Sequence, residues 1–219
     1  MAAERREFEG LLKHLQDVAK LDWPLDFARQ GTLNGREVAL VANGPGPKLA
    51  GAAVDVAREK VKVEALISTG FCGGLNRALN VCDIFAATEV MAVGPALLPA
   101  SARPFRIGKL RSIDRVVCTV EEKNGLGGDA VEMEAAAVAV RARELNIPFY
   151  AVRVVTDAVA QALPLDFNQM RSPDGRFSRA KILTAALRRP TVLPALMKMN
   201  KTTKRAAQAL GDFLADARF

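Results

Sequence analysis

The sequence predicts an α/β protein: a central mixed β-sheet flanked by helices. Two observations carry that prediction. Short runs rich in β-branched residues, at 37–42, 65–68, 83–93 and 149–155, alternate with stretches whose apolar residues recur at helical spacing. Of the 219 residues 50% are apolar, yet no apolar run is long enough for a bilayer-crossing helix, so one substantial core is expected. Strands alternating with helices require right-handed crossovers wherever neighbouring strands are parallel, and function then gathers in the loops at strand ends.

Taken in order, residues 4–20 place Phe8, Leu11, Leu12, Leu15 and Val18 at helical spacing between charged residues, which predicts an amphipathic helix. Residues 37–42 read as a buried strand, and NGPGPK at 43–48 breaks it and opens a helix from about 49 to 59. The apolar run 65–68 leads into TGFCGG, and 83–93 alternates as a strand. Residues 95–109, rich in Pro and Ala, read as an irregular loop edging a pocket. A strand is expected at 116–120, a helix at 133–145 and a strand at 149–155. Beyond Pro164 the chain reads as two helical pieces, 178–187 and 191–217, broken by Pro190 and Pro194. With no internal repeat, residues 1–219 are expected to form one domain with a helical tail at 178–219.

Lys and Arg number 31 against 24 Asp and Glu, a formal charge of +7, and much of the excess lies in Arg188, Arg189, Lys198, Lys201, Lys204 and Arg205. One Trp and one Tyr provide few platforms for stacking bases, so a nucleic-acid partner is not expected. The first ten residues are charged rather than apolar, which argues against a secretory leader and for the cytoplasm. Cys72, Cys82 and Cys118 are odd in number and lack metal spacing, so reduced thiols are expected, with no metal and no cofactor. The lone His14 has no Ser or Cys beside it to form a triad.

Three strand-end segments stand out: STGFCGGL at 68–75, VEMEAAAV at 131–138 and RVVTDA at 153–158. Each alone has a plain structural account. Gly70, Gly73 and Gly74 suit a tight turn, Glu132 and Glu134 suit the positive end of a helix, and Asp157 suits a cap. In this order and at this separation, however, they resemble the superfamily of 5'-methylthioadenosine/S-adenosylhomocysteine nucleosidases and purine nucleoside phosphorylases. The resemblance runs from AAERREF through NGPGPK, TGFCGGL and the VCDIF strand to VEMEAAAVA and VRVVTDAV. RSPDGRF at 171–177 and RRPTVLPAL at 188–196 resemble the hopanoid-associated branch, which removes adenine from adenosylhopane.

The resemblance implies a nucleoside phosphorylase-like fold and cleavage of the bond between a purine and ribose. Breaking C1'–N9 builds positive charge on the sugar, and adenine leaves poorly unless N7 is protonated, so a carboxylic acid is needed beside N7. By resemblance Asp157 is that acid; Val154, Val155, Ala158 and Val159 offer apolar surroundings that would raise its pKa, and Thr156 would hold its carboxyl group. Glu134 aligns with the ribose clamp, kept ionised by the first turn of a helix, with Arg153 as its charge partner, Met133 against the sugar and Glu132 beside it. Glu7 aligns with the glutamate that holds the attacking water, with Glu4 as the alternative and a solvated helix face as the plain reading. Phe167 matches an aromatic against the 5' substituent, or else a core residue. A homo-oligomer, a dimer or larger, is implied as well.

The chain departs from the family in four places. It begins almost on the glutamate segment, so either the first strand is missing or the start is truncated, and in both cases Glu7 is expected to lose part of its support. Phe71, just after Gly70, stands where many relatives carry a serine that touches the nucleophile. Phosphorylases place a phosphate-binding arginine ahead of this glycine turn, whereas here the residues are Ile67, Ser68 and Thr69. The segment 120–129 lacks a base-stacking phenylalanine and offers Val120 in its place. Three readings follow: a nucleosidase acting on an adenosine with an apolar 5' group; a phosphorylase, with the Gly44 to Lys48 turn as its anion site; and a catalytically silent nucleoside-binding relative. The basic tail, with Leu193, Leu196, Met197 and Met199, is expected either to touch an anionic membrane surface or to pack on the domain.

Overall fold

The structure, a computed structural model, describes residues 1–219. The amphipathic helix expected at 4–20 is absent. Short 3-10 turns at Arg5–Phe8 and Leu11–Lys13 lead instead into strand β1 (Gln16–Lys20). Tertiary packing overrides the spacing. Phe8 and Leu11 are buried with Leu210, Phe213 and Leu214 of the C-terminal helix. Gly10 lies so close to that helix that a Cβ there would stand 2.2 Å from the Ala207 carbonyl oxygen, which excludes a second helix of ordinary diameter.

β1 pairs antiparallel with β2 (Phe27–Leu33), and β2 with β3 (Arg36–Ala42) across an Asn34-Gly35 turn in which both residues have positive φ, the geometry of a tight hairpin. Helix α1 (Pro47–Lys60) follows, with Pro47 in its first turn. β4 (Leu66–Gly74) runs through the whole TGFCGG segment, which is therefore strand and not a turn beyond one. Next come β5 (Ile84–Val90), the short β6 (Gly94–Pro95) and β7 (Arg106–Ser112). β7 starts inside the stretch expected to be loop; its basic residues face outward and only Leu110 is buried, so the strand has no alternation to show.

The strand expected at 116–120 does not form. Val116 is paired by a side chain: its N–H donates to Asn168 Oδ1 at 2.8 Å and its carbonyl accepts from Asn168 Nδ2 at 2.9 Å. Helix α2 (Val120–Gly125) then opens at Thr119. β8 (Ala130–Glu132), α3 (Ala135–Glu144) and β9 (Phe149–Asp157) complete the central region. The tail holds α4 (Arg179–Arg188) and α5 (Leu193–Asp216); Pro194 sits in the first turn of α5 and begins that helix instead of breaking it.

The larger sheet has the order β6-β5-β7-β8-β4-β9, and β9 pairs again with β5, so the sheet closes on itself. It is mixed: β4–β9, β5–β7 and β7–β8 are parallel, whereas β4–β8 and β5–β9 are antiparallel. Ala50, Ala53 and Val54 of α1 and Val138 and Ala142 of α3 belong to one apolar cluster, with Leu110 and Val155 of the sheet. The second half of α5 packs with Val152 and Val154 of β9 in another.

The residues ahead of Glu7 are better supported than their number suggested. The Met1 amine donates to the Ile67 carbonyl at 2.8 Å, Thr69 N–H to Met1 O at 2.9 Å and Ala2 N–H to Val41 O at 3.0 Å. Met1 to Ala3 thus lie between β3 and β4 and join the two sheets. No helix is long and apolar enough to cross a membrane.

Candidate active site

An open cleft of about 990 Å³ lies over the ends of β4, β8 and β9, and it gathers side chains from segments far apart in sequence. Glu7, Glu132, Met133, Glu134, Asp157, Phe71 and Phe167 all line it. Gly70 and Arg153 lie beneath its floor rather than in it. Val120 does not line it; α2 carries that residue aside, and Val116 and Val117 stand at the wall instead.

Glu7 is buried at 4% exposure and firmly held. Its Oε2 accepts from Glu4 N–H at 2.7 Å and its Oε1 from Phe71 N–H at 2.8 Å. This corrects the expectation of a poorly supported glutamate, and it excludes the solvated helix face. The close approach requires glycine at position 70: at φ 136° a Cβ there would stand 2.4 Å from Glu7 Oε1 and 2.9 Å from Arg153 Nη1. Burial pushes the Glu7 carboxyl above the ordinary glutamate range, opposed by the two backbone donors and by Arg153. The Phe71 ring lies under the Arg6 guanidinium, 5.8 Å away, and contributes its backbone to Glu7 although its side chain is not a serine.

Glu134 is the residue just before α3 and is buried. Its Oε1 accepts from Gly46 N–H at 2.9 Å. Burial raises its pKa and the neighbouring Glu132 carboxylate raises it further, with Arg153 opposing. The helix terminus, expected to keep Glu134 ionised, is occupied by Glu132, whose carboxylate accepts from Glu134 N–H at 2.9 Å and from Ala135 N–H at 2.9 and 3.1 Å. Arg153 likewise has a different direct partner from the one expected. Its Nη2 contacts Glu132 Oε2 and donates to Ser68 Oγ at 2.6 Å, its Nη1 donates to Thr69 O at 2.6 Å, and Glu134 Oε2 stands off at 4.0 Å. Of the two lining carboxylates, Glu132 is therefore committed to Arg153 and to the helix terminus, whereas Glu134 is held by Gly46 N–H and stands off from the guanidinium.

The apolar surroundings expected for Asp157 are not there. Its Oδ2 accepts from Lys123 Nζ at 2.5 Å and its Oδ1 from Thr156 Oγ1 at 2.8 Å. Thr156 holds the carboxyl group as the sequence suggested. Lys123 was missed: the T-x-x-E pattern at Thr119 to Glu122 marks a helix start, but nothing local says that the next residue turns inward. Phe167 occupies a 3-10 turn, edge-on to Phe177 at 6.2 Å, and with Ile182, Leu196 and Met199 makes one end of the cleft apolar. RSPDGRF forms that rim. Its ends bridge at Arg171 and Phe177, while Arg176 forms a two-point ion pair with Asp26 at 2.9 and 3.0 Å.

Comparison with known proteins shows what the chain is similar to. The profile of the phosphorylase superfamily matches residues 24–104 and 103–188. A 5'-methylthioadenosine/S-adenosylhomocysteine nucleosidase from Psychromonas ingrahamii is 30% identical over 176 residues, covering 64% of this chain and 76% of the relative. Among solved structures, the nucleosidase of the same description from Neisseria meningitidis, in complex with methylthio-immucillin-A, superposes with a TM-score of 0.68 at 23% identity, over 98% of this chain and 95% of the other. Futalosine hydrolase from Helicobacter pylori superposes with a TM-score of 0.68 at 17% identity, over 98% and 95%. At these identities the two superpositions establish the shared fold.

Proposed function

As the chain belongs to the phosphorylase superfamily, we propose that it hydrolyses the N-glycosidic bond between adenine and a 5'-substituted ribose. The observation that carries this reading is the convergence of three separately held carboxyl groups, Glu7, Glu134 and Asp157, on one cleft. In the proposed reaction Asp157 delivers a proton to N7 as C1'–N9 breaks, Glu134 accepts hydrogen bonds from the ribose hydroxyls, and Glu7 takes the proton of the water that attacks C1'. Adenine leaves neutral and the ribose gains hydroxyl. A carboxylate whose proton affinity is raised by burial, as at Glu7, suits the task of receiving that proton.

Water is favoured over phosphate as nucleophile by what the backbone donors already hold. Phe71 N–H is committed to Glu7 and Gly46 N–H, in the turn considered as an anion site, to Glu134. A phosphate would meet carboxylates where it needs donors. Arg153, beneath the floor, has its guanidinium turned to Ser68, Thr69 and Glu132. The apolar end of the cleft at Phe167, Phe177, Ile182 and Met199 supports an apolar 5' substituent, in keeping with the hopanoid-like segments. Exposed Leu183, Leu187 and Met197 beside Arg188, Arg189 and Lys198 support a reversible contact of α4 and the start of α5 with an anionic membrane surface. The same reading takes the enzyme as a cytoplasmic homodimer. The test is adenine release from 5'-methylthioadenosine and adenosine, with and without phosphate. Hydrolysis proceeds equally in both conditions; release only with phosphate makes the chain a phosphorylase, and release in neither makes it a silent relative.

A further inference from the structure

Behind the candidate acid stands a buried lysine that the proposed chemistry does not use. Lys123 is 1% exposed, and its Nζ donates to Asp157 Oδ2 at 2.5 Å, Ala158 O at 2.9 Å and Gln161 O at 2.8 Å. Three acceptors around one nitrogen need three N–H groups, so the side chain is the ammonium; a neutral amine would turn a lone pair toward an oxygen. The short helix that carries it is itself fixed. Glu122 N–H donates to Thr119 Oγ1 at 3.1 Å, and the Glu122 carboxylate accepts from Cys118 N–H at 2.8 Å and Thr119 N–H at 3.1 Å. A buried ammonium is strongly destabilising unless it is fully paired, and here every proton has its acceptor.

The other carboxyl oxygen faces a hydroxyl with two possible partners. Thr156 Oγ1 is 2.8 Å from Asp157 Oδ1 and 3.2 Å from the Cys72 carbonyl oxygen. A hydroxyl has one proton to donate. When Asp157 is ionised, Thr156 donates to Oδ1. When Oδ1 carries a proton, it donates to Thr156, whose own proton turns to Cys72 O. Both protonation states of the acid are hydrogen-bonded with no movement of heavy atoms, whereas Oδ2, facing an ammonium, has no room for a proton.

We propose that Lys123 is the positioning residue of this enzyme's general acid: by occupying Oδ2 it confines the transferable proton to Oδ1, where Thr156 relays the change of state. The proposal rests on the reading of Asp157 as the acid. In turnover the Oδ1 proton passes to N7 while C1'–N9 breaks, Thr156 turns its proton back to Oδ1, and solvent reprotonates Asp157 after adenine leaves. The titratable groups that face Asp157 are Lys123 from α2 and the Cys72 thiol from β4, which burial pushes well above the usual thiol range.

A double-mutant cycle on Lys123→Met and Asp157→Asn, read as adenine release from 5'-methylthioadenosine, tests this. Lys123→Met is expected to lower kcat roughly 10²-fold with KM changed by less than about threefold, and to move the alkaline limb of kcat/KM to higher pH. In the Asp157→Asn background the same substitution removes an ammonium already without its counter-charge, so the double variant has neither charge of the pair, and kcat is expected to change less than about twofold. Equal losses in both backgrounds, or an unmoved pH limb, overturn the positioning role while leaving Asp157 as the acid. Near-normal turnover of Asp157→Asn, or no adenine from the wild-type chain, removes the reading and the proposal together. Thr156→Val keeps the ion pair and provides a second measurement should Lys123→Met not fold: about a 10-fold fall in kcat with a shifted pH limb supports the relay, and an unchanged profile overturns it.

Discussion

Gly70→Ala is the substitution whose cost the structure defines most directly. The residue sits at φ 136°, where an L side chain is strained, and its added Cβ would stand 2.4 Å from Glu7 Oε1 and 2.9 Å from Arg153 Nη1. Backbone strain in so sparsely populated a region costs about 1–3 kcal/mol. The overlap is relieved only by moving the Glu7 carboxyl off Phe71 N–H, which forfeits a buried hydrogen bond worth about 1–3 kcal/mol. The sum is about 2–6 kcal/mol, and at about 2–4 °C per kcal/mol for a chain of this size the melting temperature falls by at least ~4 °C. Gly35→Ala is the control: Gly35 also has positive φ, at 76°, but nothing lies within 4 Å of its added Cβ, so it carries strain alone. Thermal unfolding of both variants isolates the Glu7 contact, and adenine release reports whether displacing that carboxyl lowers kcat, by about 10²-fold if Glu7 is the base. Gly70→Ala no less stable than Gly35→Ala, with turnover intact, would refute the geometry and the role assigned to Glu7.

Glu134→Gln separates binding from stability. Because burial and Glu132 raise the folded-state pKa of Glu134 above its unfolded value, the folded protein binds more protons than the unfolded chain between those values, and stability falls as pH rises through that window. Gln keeps an acceptor for Gly46 N–H without that penalty, so its melting temperature should match wild type at pH ~5 and exceed it at pH ~8; a gap independent of pH contradicts the assignment. The same variant should weaken riboside binding far more than binding of free adenine, measured by calorimetry, and equal losses count against a ribose clamp. For the membrane contact, sedimentation with anionic vesicles at low salt should retain the protein, and Lys198, Arg188 and Arg189 to Ala changes should release it, each charge being worth about 1 kcal/mol. Protein left in the supernatant assigns the exposed leucines of α4 another role.

The sequence by itself determined the α/β class, helix α1, the strands around 37–42, 83–93 and 149–155, and the identity of the carboxylates that meet in the cleft. These were legible because they depend on local signals: β-branched runs, NGPGPK at a helix start, and three motifs in a particular order. Only the tertiary structure decided the rest. Phe8 and Leu11 have helical spacing, yet the approach of Gly10 to α5 turns their segment into 3-10 turns and a strand. Val116 has strand character, yet Asn168, 52 residues away, supplies its hydrogen bonds. Within the site, the motifs suggested Arg153 as the charge partner of Glu134; the packing of its guanidinium against β4 and β8 gave it Glu132 instead and left Glu134 Oε2 at 4.0 Å. Lys123 shows the limit most plainly. Its neighbours in sequence mark a surface helix, and it becomes a buried ammonium only because β9 ends on the other side of α2, placing three oxygens where one chain-distant nitrogen can reach them all.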